Sequence, residues 1–445
     1  LHQVGVPVWV AAVPGKSSPL NHAMAELARA AGVRTVAPDG PWPSAGLLVD
    51  ALLGTGARGA PRAAIASLVE RMTDLRIPLV AIDGPTGLDL LNGVTYLPTR
   101  SDLCITFGGV RRGHLLARDD LGSVLVMEIG HPRPDPDWPT LVVDRMIIEG
   151  LPAFHAKSHK GDRGRVVVIG GNAGMTGAIR IACRAAFAAG AGLVHAVAPK
   201  DTIAALVVAE PDVQTLAHEI SLPLSEDLSN LLNRADAVII GPGLGRAAGT
   251  ADFVLAVLNM SKRAVLDADG LTVLRDRVDE LKSCGEGRPL VLTPHPGEFR
   301  TLFPVRAESA ESDPWAAAAG AASDSRATVL LKGVPTVIAR EGRSALTVAS
   351  GNPGLGTGGS GDLLSGLIGA ALAQGLEPEH AAAVGAHALG RAAEFAARRT
   401  SARTLRPMDV IMALPDLWRT WEVMRVSPPP VAPPLILELE APQAW

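Results

Sequence analysis

Aromatic residues are scarce in this chain. Phe, Trp and Tyr together make up 3% of its 445 residues, and there is one tyrosine. Its cores must therefore be built from Ala, Val and Leu, and the 47% apolar content supplies ample material. Cysteine is nearly absent too. Cys104, Cys183 and Cys284 lie far apart and none belongs to a CxxC pair. That argues against a zinc site or a disulfide framework and for a reducing compartment, the cytoplasm. Neither charge dominates: 41 Lys and Arg face 45 Asp and Glu, for a net charge of −4, with no long basic run. Nucleic acid is therefore not an expected partner. No apolar run reaches the roughly 18 residues a transmembrane helix needs, so no membrane partner is expected either. A basic lead-in is also missing. The opening "VGVPVWVAAV" reads as a strand rather than a secretory leader. The chain starts at Leu1 instead of Met, as a fragment edge or a non-standard start codon would leave it.

What is present is alternation. Short apolar runs ("VPVWVAAV", "GLLVDALLG", "PLVAIDGP", "DLCITF") alternate with Ala-rich stretches such as "LNHAMAELARAAG" and "AAIASLVERM". That pattern predicts parallel strands joined by helices. It defines a first α/β domain over residues 1–135. The Pro-rich "HPRPDPDWPT" (131–140) reads as a linker. A second α/β series covers 150–424, from "RVVVIGG" through "TVLLKGVPTVIA" to a helical region ending near Arg399. Residues 425–445 read as an unpacked Pro-rich tail. A chain of this length fits two or three domains.

The chemistry concentrates in loops. "GNPGLGTGGSGD" (351–362) puts six glycines before one acid, Asp362, at the start of an expected helix. Glycines let backbone amides approach a ligand closely. A helix N-terminus adds unpaired N–H groups, so the stretch predicts an anion site, most often for phosphate. Asp362 is then either an ordinary N-cap or a general base beside that site. The GxGxxG pattern decides nothing, because it occurs at Gly54–Gly59 as well as Gly354–Gly359. Three more loops follow apolar strands: "GPGLG" (241–245), "LTPHPGE" with His295 and Glu298, and "LKGVPT" with Lys332. Singly, each is a tight turn, a surface histidine or a solvated lysine. Together they lie where open α/β sheets bind ligands, beyond the carboxyl ends of strands.

With "KGDRGRVVVIGGNAGMTGAIRIACRAAFAAGAGLV" (160–194) and "LDADGL" (266–271), these loops resemble the dehydratase domain of the NAD(P)H-hydrate repair enzymes. That resemblance implies a ribokinase-like αβα fold. It also implies ADP-dependent dehydration of the (6S) hydrates of NADH and NADPH (NADHX and NADPHX), by phosphorylation of the ring hydroxyl and elimination. Under it, Asp362 is the base and a substrate contact. Gly361 holds phosphate, and Lys332, Gly333, Val334, Pro335 and Thr336 line the adenine-nucleotide site. Ala178, Gly243 and His295 touch the hydrated substrate. Glu298 stands where ribokinase-like proteins often place an acid near Mg2+. A homo-oligomer is the expected assembly.

"VDALLGTGARG" (49–59) and "AIDGPTGLD" (81–89) resemble the partner NAD(P)H-hydrate epimerase domain, a Rossmann-like three-layer αβα fold. There Asp50 and Thr86 match potassium-ligand positions and Asp83 a substrate contact. The family's Asn/Gly-rich loop, close to "NNGGDG", has no counterpart in this sequence, so the resemblance implies an epimerase-like domain whose front part is missing. A structural or docking domain is therefore expected in place of an efficient epimerase. Two alternatives to the dehydratase stay open: a ribokinase-like kinase of a small alcohol or vitamin precursor, and a non-catalytic nucleotide-binding module.

Overall fold

The computed structural model describes residues 1–13, 15, 18–130, 138–428 and 435–442. These divide into two units: residues up to 130 with 435–442, and residues 138–428. The prolines of the expected linker, at 131–137, lie outside the described residues, as do 429–434 and 443–445 of the expected tail.

In the first unit the Val- and Leu-rich runs form β1 (Trp9–Ala11), β2 (Arg34–Val36), β3 (Leu48–Asp50), β4 (Leu79–Ile82), β5 (Ser101–Phe107) and β6 (Leu121–Met127). β3 to β6 run parallel, side by side in chain order, while β1 and β2 pair with each other in a separate sheet. The helix Ala63–Asp74 buries Leu68, Val69 and Met72. The helix Pro19–Ala30 buries nothing, and Leu20, Met24 and Leu27 on it are exposed.

The expected loose tail needs correction. Leu435–Leu439 is a strand that pairs antiparallel with β6 and completes a five-stranded sheet. Arg118 explains its attachment. This buried guanidinium donates to the Gly122 carbonyl at 2.7 Å on the β6 side and to the carbonyls of Leu439 and Glu440 on the other. Charged-donor bonds of this kind are stronger than neutral ones.

The second unit is built on a ten-stranded sheet. Its strands are β7 (Thr140–Leu141), β8 (Arg165–Ile169), β9 (Leu193–Ala198), β10 (Gln214–Ala217), β11 (Ala237–Ile240), β12 (Ala264–Leu266), β13 (Leu290–Leu292), β14 (Thr328–Leu331), β15 (Thr336–Ala339) and β16 (Leu346–Val348). Their order is β10-β9-β8-β11-β12-β13-β14-β15-β16-β7. β10 through β14 in that order are parallel, and all residues of β11 to β14 are buried, as continuous apolar runs covered on both faces should be. "TVLLKGVPTVIA" is not one strand but an antiparallel hairpin, β14 with β15. The helical region also outruns Arg399, since Pro407–Val426 forms a further helix.

The core of this unit is largely alanine, valine and leucine, as the lack of aromatics demanded. Small residues let its helices close up. A Cβ on Gly366, in the helix Ser360–Ala373, would stand 2.4 Å from the Ala182 carbonyl of the helix Thr176–Ala188. Only glycine allows that approach.

Candidate functional site

From β8 the chain winds outward through β9 and β10, then returns to β11 on the other side. Strand order reverses there, which leaves a crevice at the carboxyl ends of β8 and β11. The loops from those two ends are tied together. Gly171 N donates to Pro242 O at 2.9 Å, and Asn172 N to Gly243 O at 2.6 Å. Gly243 has φ +58, and a Cβ on it would lie 2.8 Å from Met175 Cβ and 3.2 Å from Ala178 Cβ. The crevice thus brings two expected substrate contacts, Ala178 and Gly243, against each other.

The end of β12 supplies two acids that received no role from the sequence. Asp267 is 1% exposed and pairs with Lys332 Nζ at 2.7 Å, while the Ser365 hydroxyl donates to its other oxygen. Asp269 accepts from Gly245 N at 3.0 Å and from Arg246 Nε at 2.6 Å. Ala268 between them has φ +49, a costly conformation for a residue with a Cβ, and the turn places one acid on each side of it. The readable signal was "DAD" directly after a buried strand.

Beyond β13, His295 and Glu298 form a reciprocal cap on the helix Pro296–Leu302. His295 Nδ1 accepts from Gly297 N at 3.0 Å, and Glu298 accepts from His295 N at 2.9 Å. The Lys332 amide donates to Pro294 O at 2.9 Å and ties this loop to the β14–β15 turn. In that turn Thr336 Oγ1 donates to Gly333 O at 3.1 Å, and Val334 is 73% exposed. Pro335 is buried.

The glycine-rich loop ends as the helix Ser360–Ala373 begins. Gly359, at φ +95, is its N-cap, so Asp362 is not the cap but the third helical residue. A Cβ on Gly361 would stand 3.2 Å from Lys332 Nζ, which puts the ammonium beside the helix N-terminus. Burial pushes the Asp362 carboxyl up to about 7. The negative charges of Asp267, Asp269 and Glu298 push the same way, and Lys332 pulls it back. Burial also raises Glu298, against the nearby positive charge of Lys332. The result is four carboxyl groups around one ammonium at the mouth of a helix. A carboxyl that titrates near pH 7 can take a proton there when ionised and give one when neutral.

The first unit holds its own oxygen cluster. Asp50 accepts from Thr86 N at 2.7 Å, Thr86 Oγ1 at 2.8 Å and Leu52 N at 3.2 Å. Asp83 has φ +71 and accepts from Thr55 N at 2.7 Å and Thr106 Oγ1 at 3.2 Å. His114, unnoticed in the sequence, accepts from Arg111 N at its Nδ1, so its Nε2–H donates to the Asp83 carbonyl at 2.7 Å. Burial lowers the His114 pKa and keeps the ring neutral. Among the described residues, no three His, Cys, Asp or Glu side chains converge as a metal site, and no helix is long and apolar enough to cross a membrane.

Comparison with known proteins places both units. Residues 166–416 match the family described as NAD(P)H-hydrate dehydratase, and residues 1–113 match the YjeF-related protein N-terminus. A bifunctional NAD(P)H-hydrate repair enzyme from Escherichia coli (strain K12) is 36% identical over 384 residues, 84% of this chain and 72% of that one. Its counterpart from Moorella thermoacetica is 35% identical, over 85% of this chain and 74% of that one. Among solved structures, an ADP/ATP-dependent NAD(P)H-hydrate dehydratase from Bacillus subtilis, co-crystallised with ATP/Mg2+, has a TM-score of 0.55 at 25% identity. It covers 64% of this chain and 100% of its own. A ribokinase-like superfamily protein from Enterococcus faecalis V583 gives 0.56 at 25% identity, over 65% and 99%. The chain belongs to the family of bifunctional NAD(P)H-hydrate repair enzymes.

Proposed function

We propose that the second unit dehydrates the (6S) hydrates of NADH and NADPH with ADP as phosphoryl donor. The observation that carries the reading is Asp362: a carboxyl raised to about 7 in the first turn of a helix that opens from a glycine-rich loop. Amides of Gly361 and its neighbours take the terminal phosphate of the nucleotide. The turn from Lys332 through Gly333, Val334 and Pro335 to Thr336 lies along the nucleotide. Lys332 offsets charge that develops on the transferring group. Ala178, Gly243 and His295 border the nicotinamide hydrate.

Hydroxide is a poor leaving group, and phosphorylation removes that obstacle. Asp362 takes the proton of the C6 hydroxyl as its oxygen attacks phosphorus, which breaks the bond to the nucleotide's remaining phosphate. The ring nitrogen's lone pair then expels phosphate from C6. Loss of the C5 proton restores the conjugated dihydronicotinamide. No covalent protein nucleophile is needed.

Magnesium belongs with the nucleotide in this reading. Glu298 would be the residue beside it, and the ion would offset charge on the phosphates as the phosphoryl group transfers. In the first unit, Asp50 and Thr86 offer the hard oxygen donors potassium prefers, and their converging side chains fit it. The Asp50 carboxylate is nevertheless already met by three donors from the chain. We infer that this unit does not interconvert the R and S hydrates efficiently.

The test is to mix hydrated NADH with ADP and magnesium and follow the absorbance of the reduced nicotinamide. Recovery of that band, dependent on ADP, is the expected result, and running ATP in parallel ranks the donors. A phosphorylated small alcohol accumulating with no recovered cofactor would support a kinase instead. Nucleotide binding with no turnover would reduce the unit to a binding module.

A further inference from the structure

One cluster outside the site, centred on a buried histidine, uses the residue types of nucleophilic catalysis. His387 is 5% exposed. Its Nε2 lies 2.7 Å from Asp144 Oδ1, and its Nδ1 lies 3.2 Å from Ser350 Oγ. The order serine, histidine, aspartate is that of a hydrolase triad. Ser350 is not placed to attack anything, however. A Cβ on Gly390 would stand 2.5 Å from both its carbonyl and its hydroxyl oxygen, so the serine is pressed against the helix Pro378–Arg399.

Ser350 does have one notable neighbour in the chain: Gly351, where the glycine-rich loop begins. Gly351 N donates to Glu394 Oε1 at 2.8 Å. The other oxygen of Glu394 accepts from Arg391, and Arg391 Nε stands 3.5 Å from Asp144 Oδ1. The contacts close a ring: Asp144, His387, Ser350, Gly351, Glu394, Arg391. Trp421, from the helix Pro407–Val426, stacks on the imidazole with centroids 6.0 Å apart and planes 8° from parallel. Burial alone would raise the Asp144 carboxyl, but the His387 hydrogen bond and the Arg391 charge hold it below its usual range. The ring therefore contains an ionised aspartate that orients the histidine, as in a triad, but with a backbone junction where the substrate would be.

Two further grips fix the rest of the loop. A Cβ on Gly354 would meet the Ala402 carbonyl at 2.5 Å, and one on Gly359 would meet Ile181 Cδ1 at 2.8 Å. The loop is thus held at Gly354 and Gly359, between the ring and Asp362. Asp144 comes from the helix Asp144–Gly150, ahead of the residues that match the dehydratase family.

We propose that Asp144, His387 and Ser350 are positioning residues for phosphoryl transfer. They clamp the first residue of the glycine-rich loop and thereby set where its amides and Asp362 meet the nucleotide and the hydroxyl. This rests on the dehydratase reading above. Misplacing reacting groups by about 1 Å can cost roughly 100-fold in rate.

The experiment uses the full chain with S hydrate, ADP and magnesium, and compares Ser350→Ala, His387→Gln and His387→Leu. Gln can keep the donor to Asp144, whereas Leu keeps neither contact. Expected are kcat losses of about 10-fold for S350A and H387Q and roughly 100-fold for H387L, by that same misplacement argument. Residues acting as a unit are not additive. The S350A/H387Q double variant should therefore be no slower than H387Q alone, and H387L should cost less in an Asp362→Asn background than in the parent. Should H387L fail to fold, S350A and H387Q carry the test alone, since both are small changes. Parent-like kcat in both, or losses that multiply with Asp362→Asn, would overturn the proposal. An inactive parent chain would instead sink the dehydratase reading itself.

Discussion

The two units set their acids in opposite surroundings. In the first, the Asp50 and Asp83 carboxylates accept hydrogen bonds from nearby amides and hydroxyls. In the second, Asp362 is half-buried near three other acids, and its proton affinity is raised. The supporting structure differs too. The second unit has long helices wedged on a sheet of ten strands, whereas the first has a helix with no buried residue and a two-stranded pair standing by itself. Preorganised, partly unpaired acids suit proton transfer, while hydrogen-bonded ones suit stability.

The largest expected effect breaks the second unit's side of that contrast. Asp362→Asn keeps size and removes the base, so turnover should fall by roughly 10²–10⁴-fold. Nucleotide affinity, measured by calorimetry, should change little, because in the proposed mode glycine amides hold the phosphates. Next is Lys332→Met. It leaves Asp267 buried without its partner, a change that typically costs about 3–5 kcal/mol. It also removes the charge that lowers the Asp362 pKa. Thermal unfolding should show the stability loss, and the midpoint of the pH–rate profile should move above 7.

A third experiment sets the units against each other. A mixed R/S hydrate with excess ADP, at a pH where spontaneous epimerisation is slow, should show rapid repair of the S fraction and then a plateau. An added active epimerase should relieve it. Complete conversion by this chain alone would mean that the Asp50–Asp83 cluster works as it stands. The smallest effect on turnover is expected from ending the chain at Pro434. Arg118 would lose its Leu439 and Glu440 acceptors, and leaving a buried donor unmet costs about 1–3 kcal/mol. Melting of the first unit should fall in temperature while dehydration continues.

Much of the second unit was legible because its strands are short apolar runs between glycine-marked loops. The order of those loops carries the site. What stayed hidden depended on long-range contact. Asp267 looks like any strand-end acid until Lys332, 65 residues on, meets it. Asp144 and His387 are 243 residues apart. The stretch 435–439 read as part of a Pro-rich tail because its partner, β6, lies more than three hundred residues earlier and nothing local announces the pairing. The hairpin at Lys332–Thr336 was missed for another reason. The Lys-Gly-Val-Pro break between the two strands is readable as a turn, but by sequence alone it reads as a ligand-binding loop at a strand end rather than as a reversal.

The raised Asp362 pKa gives a direct test of the central claim, that this carboxyl is the base. A folded-state pKa above the unfolded value means that the folded chain binds the extra proton between the ordinary carboxylate range and about 7. Stability should therefore fall as pH rises through that window, and Asp362→Asn should melt higher than the parent above pH 7. Activity should run the other way, because only the deprotonated carboxylate accepts the hydroxyl proton. The decisive measurement is the rate of cofactor recovery from S hydrate with saturating ADP, across pH 5.5–8.5, roughly 1.5 units either side of that value. A parent rate that climbs through a midpoint near 7, with a slow and flat Asp362→Asn profile, is the predicted result. A parent profile with no such rise, or a variant that follows the parent, would contradict it.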